Sequence, residues 1–109
     1  MSPQIKSINP LRRFQKSSIL IHILYHASKE PFYGSWLKNE LNINDYNISD
    51  GTLYPWLNRL TSSGFLSLEK RNVEGKIRKY YSITEMGKTH FEKIKEYLKE
   101  LYNEVIREN

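Results

Sequence analysis

Asn58 and Arg59 carry the side chains best suited to reading a base edge, because an asparagine amide pairs bidentately with adenine and an arginine fork with guanine. The same residue types also suit a solvated helix surface, and their spacing alone leaves both readings open. Thr52 and Tyr54, a few positions earlier, are hydroxyl donors of the kind that hold a phosphate oxygen. Between residues 69 and 79 stand Lys70, Arg71, Lys76, Arg78 and Lys79 against only two acids. Cations at that density can neutralise phosphates, each one steepening the salt dependence of binding by about 0.9 log units per log unit of salt. Parts for catalysis are missing: there is no cysteine, no glycine-rich phosphate loop, no histidine beside a nucleophile and no carboxylate pair in an apolar setting. His22 and His26 are four apart and can place two imidazoles on a metal, but no third ligand shares their spacing and the zinc-protease glutamate is absent. Packing, or a mild response to pH, is the expectation for them. No metal, cofactor or reaction is expected, and the chemistry left is hydrogen bonding and charge.

The elements that must hold these side chains fit one domain, since 109 residues build one modest core. The net charge of +5 is unevenly placed. Residues 1 to 16 carry Lys6, Arg12, Arg13 and Lys16 with no acid, residues 69 to 79 carry the cations named above, and the remainder is close to neutral. Two basic islands suit phosphate binding at two places, although scattered solubilising lysines give the same composition. No apolar run reaches bilayer length and no secretory block opens the chain, so a cytoplasmic protein with no membrane partner is expected.

The chain divides into a flexible basic arm over residues 1 to 10, a DNA-binding domain of winged helix-turn-helix type over 11 to 84, and a C-terminal dimerisation helix over 85 to 109. Leu11, Phe14, Ser18, Ile21 and Tyr25 form one side of a first helix, with Leu20, Leu24 and Ala27 beside it. Pro31 breaks that helix, and Phe32 to Leu41 reads as a second. An asparagine-rich turn, Asn42 to Ile48, leads to a third helix, with Ser49 as its cap. Leu53, Leu57 and Leu60 give that helix its apolar stripe, and Gly64 is its left-handed stop. Pro55 removes a backbone hydrogen bond inside it and can angle the first turn. The period then changes to two: Phe65 to Glu69 and Ile77 to Ile83 read as strands joined by a loop over Arg71 to Lys76. Thr84 and Glu85 cap a last helix running to about Glu108. There Phe91, Ile94, Leu98, Leu101 and Val105 step by 3, 4, 3 and 4, a narrow seam that calls for another helix. A second copy of the chain, packing its tail and first helix (Phe14, Ile21) across a twofold axis, is the simplest supplier. The fold class is thus mostly α with a small β-hairpin.

Gly51-Thr52-Leu53-Tyr54-Pro55, then Leu57-Asn58-Arg59-Leu60, Gly64, Arg78-Lys79-Tyr80-Tyr81, and Ile83-Thr84 with Gly87 closely resemble the PadR family of winged helix-turn-helix transcription regulators, in its short-tailed branch. Phe32-Tyr33-Gly34 resembles that family's tyrosine-glycine segment. The resemblance covers about Leu11 to Gly87. It implies a homodimeric repressor that binds a palindromic operator in double-stranded DNA and is released by a small-molecule effector or other signal. It also puts Thr52, Tyr54 and Pro55 at the DNA face and Arg78 and Lys79 on the wing. Trp56 and the asparagine-rich turn depart from the pattern, which bears on base preference and effector identity. The residues themselves assign no effector site, and a pocket lined by Phe14, Tyr97 and Leu98 is what the resemblance implies. Two rival functions share the same fold: a protein-protein assembly module, and an architectural DNA-binding protein without sequence preference.

Overall fold

A computed structural model describes residues 7–108; the arm expected over residues 1 to 10 lies mostly outside them. Pro10–Lys29 form α1, started by Asn9, whose side-chain oxygen accepts from the Arg12 amide at 3.1 Å, and by Pro10 in the first turn. The helix ends at an extended Glu30, ahead of Pro31. Its core face is Ile19, Ile23, Leu24 and Ala27. Of the stripe expected on one side of a broad apolar face, Ile21 packs against this core while Leu11, Phe14 and Tyr25 are exposed. Both faces are apolar, so the local pattern does not separate the inner one from the outer.

The next two residues correct the expected second helix. Phe32–Tyr33 form β1, because their backbone pairs antiparallel with the last long strand, Phe32 opposite Tyr81 and Tyr33 opposite Tyr80. Phe32 is buried. The helix α2 is therefore Gly34–Ile43, burying Leu37 and Leu41. The turn that follows uses left-handed backbone at Asp45 and Asn47, residue types that tolerate it, while the Asn42 side chain accepts from the Ile48 amide at 2.9 Å. Buried Ile48 plugs the core at that point.

Asp50–Ser62 form α3, which buries Leu53 and Leu57 and half-buries Leu60. Its capping differs from expectation: the Ser49 hydroxyl meets the Thr52 hydroxyl at 3.2 Å and caps no amide. An ion pair of 3.0 Å between Lys38 and Asp50 ties its start to α2. Gly64, at φ +89°, stops the helix as expected, with the Phe65 amide donating to the Leu60 carbonyl.

Leu66–Val73 (β2) and Lys76–Ile83 (β3) complete a three-stranded sheet of order β1-β3-β2. The expected six-residue loop is a two-residue turn. Glu74 and Gly75 both take positive φ, 53° and 81°, the signature of a type I′ hairpin, and the Asn72 side chain accepts from the Gly75 amide. Lys70, Arg71 and Lys76 therefore stand on the strands.

Thr84 joins three elements. Its hydroxyl donates to the Gly64 carbonyl at 2.6 Å and accepts from the Gly87 amide at 3.0 Å, capping α4 (Glu85–Leu101) while holding the end of α3. A Cβ on Gly87 would sit 2.2 Å from the Phe65 carbonyl oxygen, so only glycine lets α4 approach this closely. Beyond Leu101 the expected regular helix gives way to a π-helical segment, Tyr102–Ile106. Among the described residues no helix is long and apolar enough to cross a membrane.

Candidate nucleic-acid interface

With Leu53 and Leu57 buried, a step of about 100° per residue turns Pro55 and Asn58 roughly away from the core. Thr52, Tyr54, Pro55, Asn58 and Arg59 are all exposed. They do not share one direction. Tyr54 leans to the wing side, where it shares a notch with Arg78 and Lys79. Arg59 leans to the α1 side, in a shallow recess with Leu20, Trp56, Leu60 and Ser63. The polar face of α3 is thus wide, with a phenol at one edge and a guanidinium at the other.

The strand register gathers the wing's cations more tightly than their sequence positions suggest. Lys70 lies opposite Lys79, and Arg71 opposite Arg78. Like charges directly opposite one another destabilise a sheet, so the folding of the chain alone gives no reason for two such pairs. Of the five wing cations only Arg71 makes an ion pair among the described residues, at 3.1 Å to Glu69. Side chains alternate across the strands, which sets Arg71, Arg78 and Tyr80 on one face and Lys70, Lys79 and Tyr81 on the other. On the first face tyrosines steady the arginines: Arg71 lies 4.3 Å from the Tyr80 ring centre and Arg78 4.4 Å from that of Tyr33. A stacked guanidinium keeps its charge while losing rotamer freedom, which prepares it to meet a phosphate. Sequence reading missed Tyr33 and Tyr80 as supports, because β1 is two residues long and its partner is nearly fifty positions away.

The residues expected at a dimer seam fall into two groups. Phe91 is buried in the core, and Ile94 and Ile21 pack against it within the chain, so these three are engaged before any second copy arrives. Phe91 in particular is corrected from seam to core. Phe14, Leu98, Leu101 and Val105 remain exposed and, with Tyr102 and Ile106, line an apolar groove of about 610 Å3. Tyr97, expected near an effector, is outside that lining and mostly exposed.

His22 and His26 lie with ring centres 6.1 Å apart, His22 against Tyr46 and His26 edge-on to Trp36 and Tyr25. Among the described residues no cluster of three or more metal-ligating side chains forms. Burial lowers the His26 pKa from 6.5, with Glu40 opposing the shift and His22 adding to it.

Residues 23–93 match the model of the transcriptional regulator PadR-like family. The transcriptional regulator Rv3488 of Mycobacterium tuberculosis is 40% identical over 96 residues, spanning 88% of this chain and 90% of that protein. Among solved structures, a PadR-like transcription factor from Bacteroides fragilis superposes with a TM-score of 0.77 at 31% identity, covering 90% of this chain and 96% of the other. A PadR-like regulator from Bacillus cereus gives 0.75 at 29% identity, over 84% and 92%. The match contains α3, the wing and the Thr84 junction, and the chain belongs to the PadR-like family of transcriptional regulators, DNA-binding proteins rather than enzymes.

Proposed function

We propose that the chain is a cytoplasmic repressor that grips a palindromic operator in double-stranded DNA as a homodimer and lets go when a small molecule or another signal arrives. One observation carries the DNA-binding part of this reading: two like-charge cross-strand pairs on the wing, three of whose four cations have no ion-pair partner among the described residues, stand beside the exposed polar face of α3. A polyanion offsets the repulsion that the sheet itself must bear. In this arrangement Asn58 and Arg59 face base edges, Thr52, Tyr54 and Pro55 set the helix against the backbone, and Lys70, Arg71, Lys76, Arg78 and Lys79 hold phosphates along the wing.

Dimerisation rests on the apolar groove of Phe14, Leu98, Leu101, Tyr102, Val105 and Ile106. Exposed apolar side chains gathered in one place on so small a protein mark a contact surface. Pairing two such faces covers them and spaces two recognition helices on one side of a duplex, as half-sites one turn apart require. The effector class is carried by the family alone.

The test is titration of the purified chain into fluorescent duplex DNA taken from just upstream of its own gene, repeated over a range of salt, with unrelated duplex as competitor. Binding that outlasts the competitor and weakens steeply with salt is the expected result. Equal displacement by any duplex points to an architectural protein, and the absence of binding at low salt points to an assembly module.

A further inference from the structure

A notch of about 310 Å3 opens between the start of α2, the ring of Tyr54 and strand β3, lined by Tyr33, Gly34, Ser35, Tyr54, Ile77, Arg78, Lys79 and Tyr81. Three independent features make it unlike a crevice left by packing. The N-terminus of α2 opens into it with no side-chain cap from Tyr33, so its first-turn amides have no side chain to satisfy them. Gly34 has no Cβ there, and one would stand 2.6 Å from the Cε1 of Tyr54 and 2.7 Å from its hydroxyl oxygen. Tyr54 therefore lies on the helix start, its phenol held beside those amides.

The third feature is Tyr81. The residue is only 2% exposed, yet its hydroxyl has no hydrogen-bond partner among the described residues. No sealed side-chain oxygen or nitrogen lacks a partner among them, so this hydroxyl is not sealed, and the residue lines the notch. Burial, with Tyr54 adding to it, pushes the Tyr81 pKa above 10.0. The phenol keeps its proton and can only gain by donating it to an acceptor. Arg78, steadied on Tyr33, and Lys79 stand at the rim.

Donors gather here from the first-turn amides, the phenols of Tyr54 and Tyr81 and the Lys79 ammonium, and no carboxylate is among the lining residues. A group that only accepts hydrogen bonds, carries negative charge and is tetrahedral meets that set. The volume is roughly ten times the ~30 Å3 share of one water, enough for such a group. We propose that the notch is a socket for a single phosphodiester of the DNA backbone, with Tyr54 and Tyr81 donating to its oxygens, α2 facing it end-on and Lys79, on the same sheet face as Tyr81, neutralising it. This rests on the reading that the chain binds DNA, and it fixes where one backbone contact per protomer falls. Lys70 and Lys76 lie outside the socket.

Tyr81→Phe deletes one oxygen and keeps the ring. Binding of the full chain is measured on duplexes in which backbone phosphates are replaced, one at a time, by uncharged methylphosphonates. The parent loses affinity sharply at one position per half-site. Tyr81→Phe binds the unmodified duplex about a hundredfold more weakly, as loss of one hydrogen bond to a charged group from each of two protomers implies, and pays little further penalty at that position. Its salt slope stays that of the parent, because no charge was removed. Parent-like affinity, or an undiminished penalty at that position, overturns the socket. If that result comes while Lys70→Ala with Lys76→Ala still weakens binding, DNA binding stands and only the socket falls. If Tyr81→Phe melts early, Tyr54→Phe carries the same comparison.

Discussion

Removing the Arg78 guanidinium by Arg78→Ala puts a number on the electrostatic reading. Arg78 makes no ion pair among the described residues, so its loss orphans no carboxylate there, and the stacking on Tyr33 that goes with it is worth about 0.5–1 kcal/mol at an exposed site. The fold should survive. A dimer loses one cation from each protomer, and at about 0.9 per phosphate its slope of log affinity against log salt falls by about 1.8. Raising salt fourfold, from about 50 to 200 mM, should then weaken the variant about twelvefold less than it weakens the parent. Fluorescence anisotropy with a labelled duplex at four or five salt concentrations reads both slopes directly. A thermal melt alongside separates this effect from loss of structure. Parallel lines for parent and variant, with a lower intercept for the variant, refute the assignment of Arg78 to phosphate and make it a support of the wing instead.

Leu101→Asp places a carboxylate in the apolar groove at a residue half exposed in the single chain, so the monomer should keep its melting behaviour while sedimentation velocity shows half the parent's mass and operator binding falls away; a variant that stays dimeric removes the groove from the interface. Gly87→Ala drives a Cβ into the Phe65 carbonyl and should destabilise the chain by about 1–3 kcal/mol, several degrees or more in Tm; an unchanged melt means that α4 is not held there as described. For His26 the folded pKa lies below 6.5, so the unfolded chain takes up the proton first. Its contribution to stability is complete above 6.5 and is lost as pH falls from there towards the folded value. Between about pH 8 and pH 5 the parent should lose more stability in urea titrations than His26→Phe does. Identical losses would assign the pH response to other groups.

What the sequence made legible follows from how local each signal is. The stripe Leu53, Leu57, Leu60 and the stop at Gly64 are set by neighbours within two turns, and α3 lies where they put it. The first helix has no such local answer, because Ile19, Ile23, Leu24 and Ala27 compete with an equally apolar stripe and only the tertiary fold decides between them. Strand β1 has no local signal: Phe32 and Tyr33 are extended because β3 pairs with them from far along the chain. The local period makes the wing strands look too short, since Lys70, Arg71 and Lys76 resemble loop residues until the Glu74-Gly75 turn fixes the register. The notch was illegible for the same reason. Gly34, Tyr54 and Tyr81 come from three separate elements, and nothing in their spacing announces that they meet.

The Thr84 hydroxyl, shared between the Gly64 carbonyl and the Gly87 amide, makes one knuckle of α3, the sheet and the tail. A lever fixed at such a knuckle does not flex its head; it swings it. In the dimer proposed above, whatever closes or splays the two tails would therefore alter the span between two heads while leaving each head's own grip unchanged, so control would be exerted on the spacing of half-sites and not on the recognition of either one.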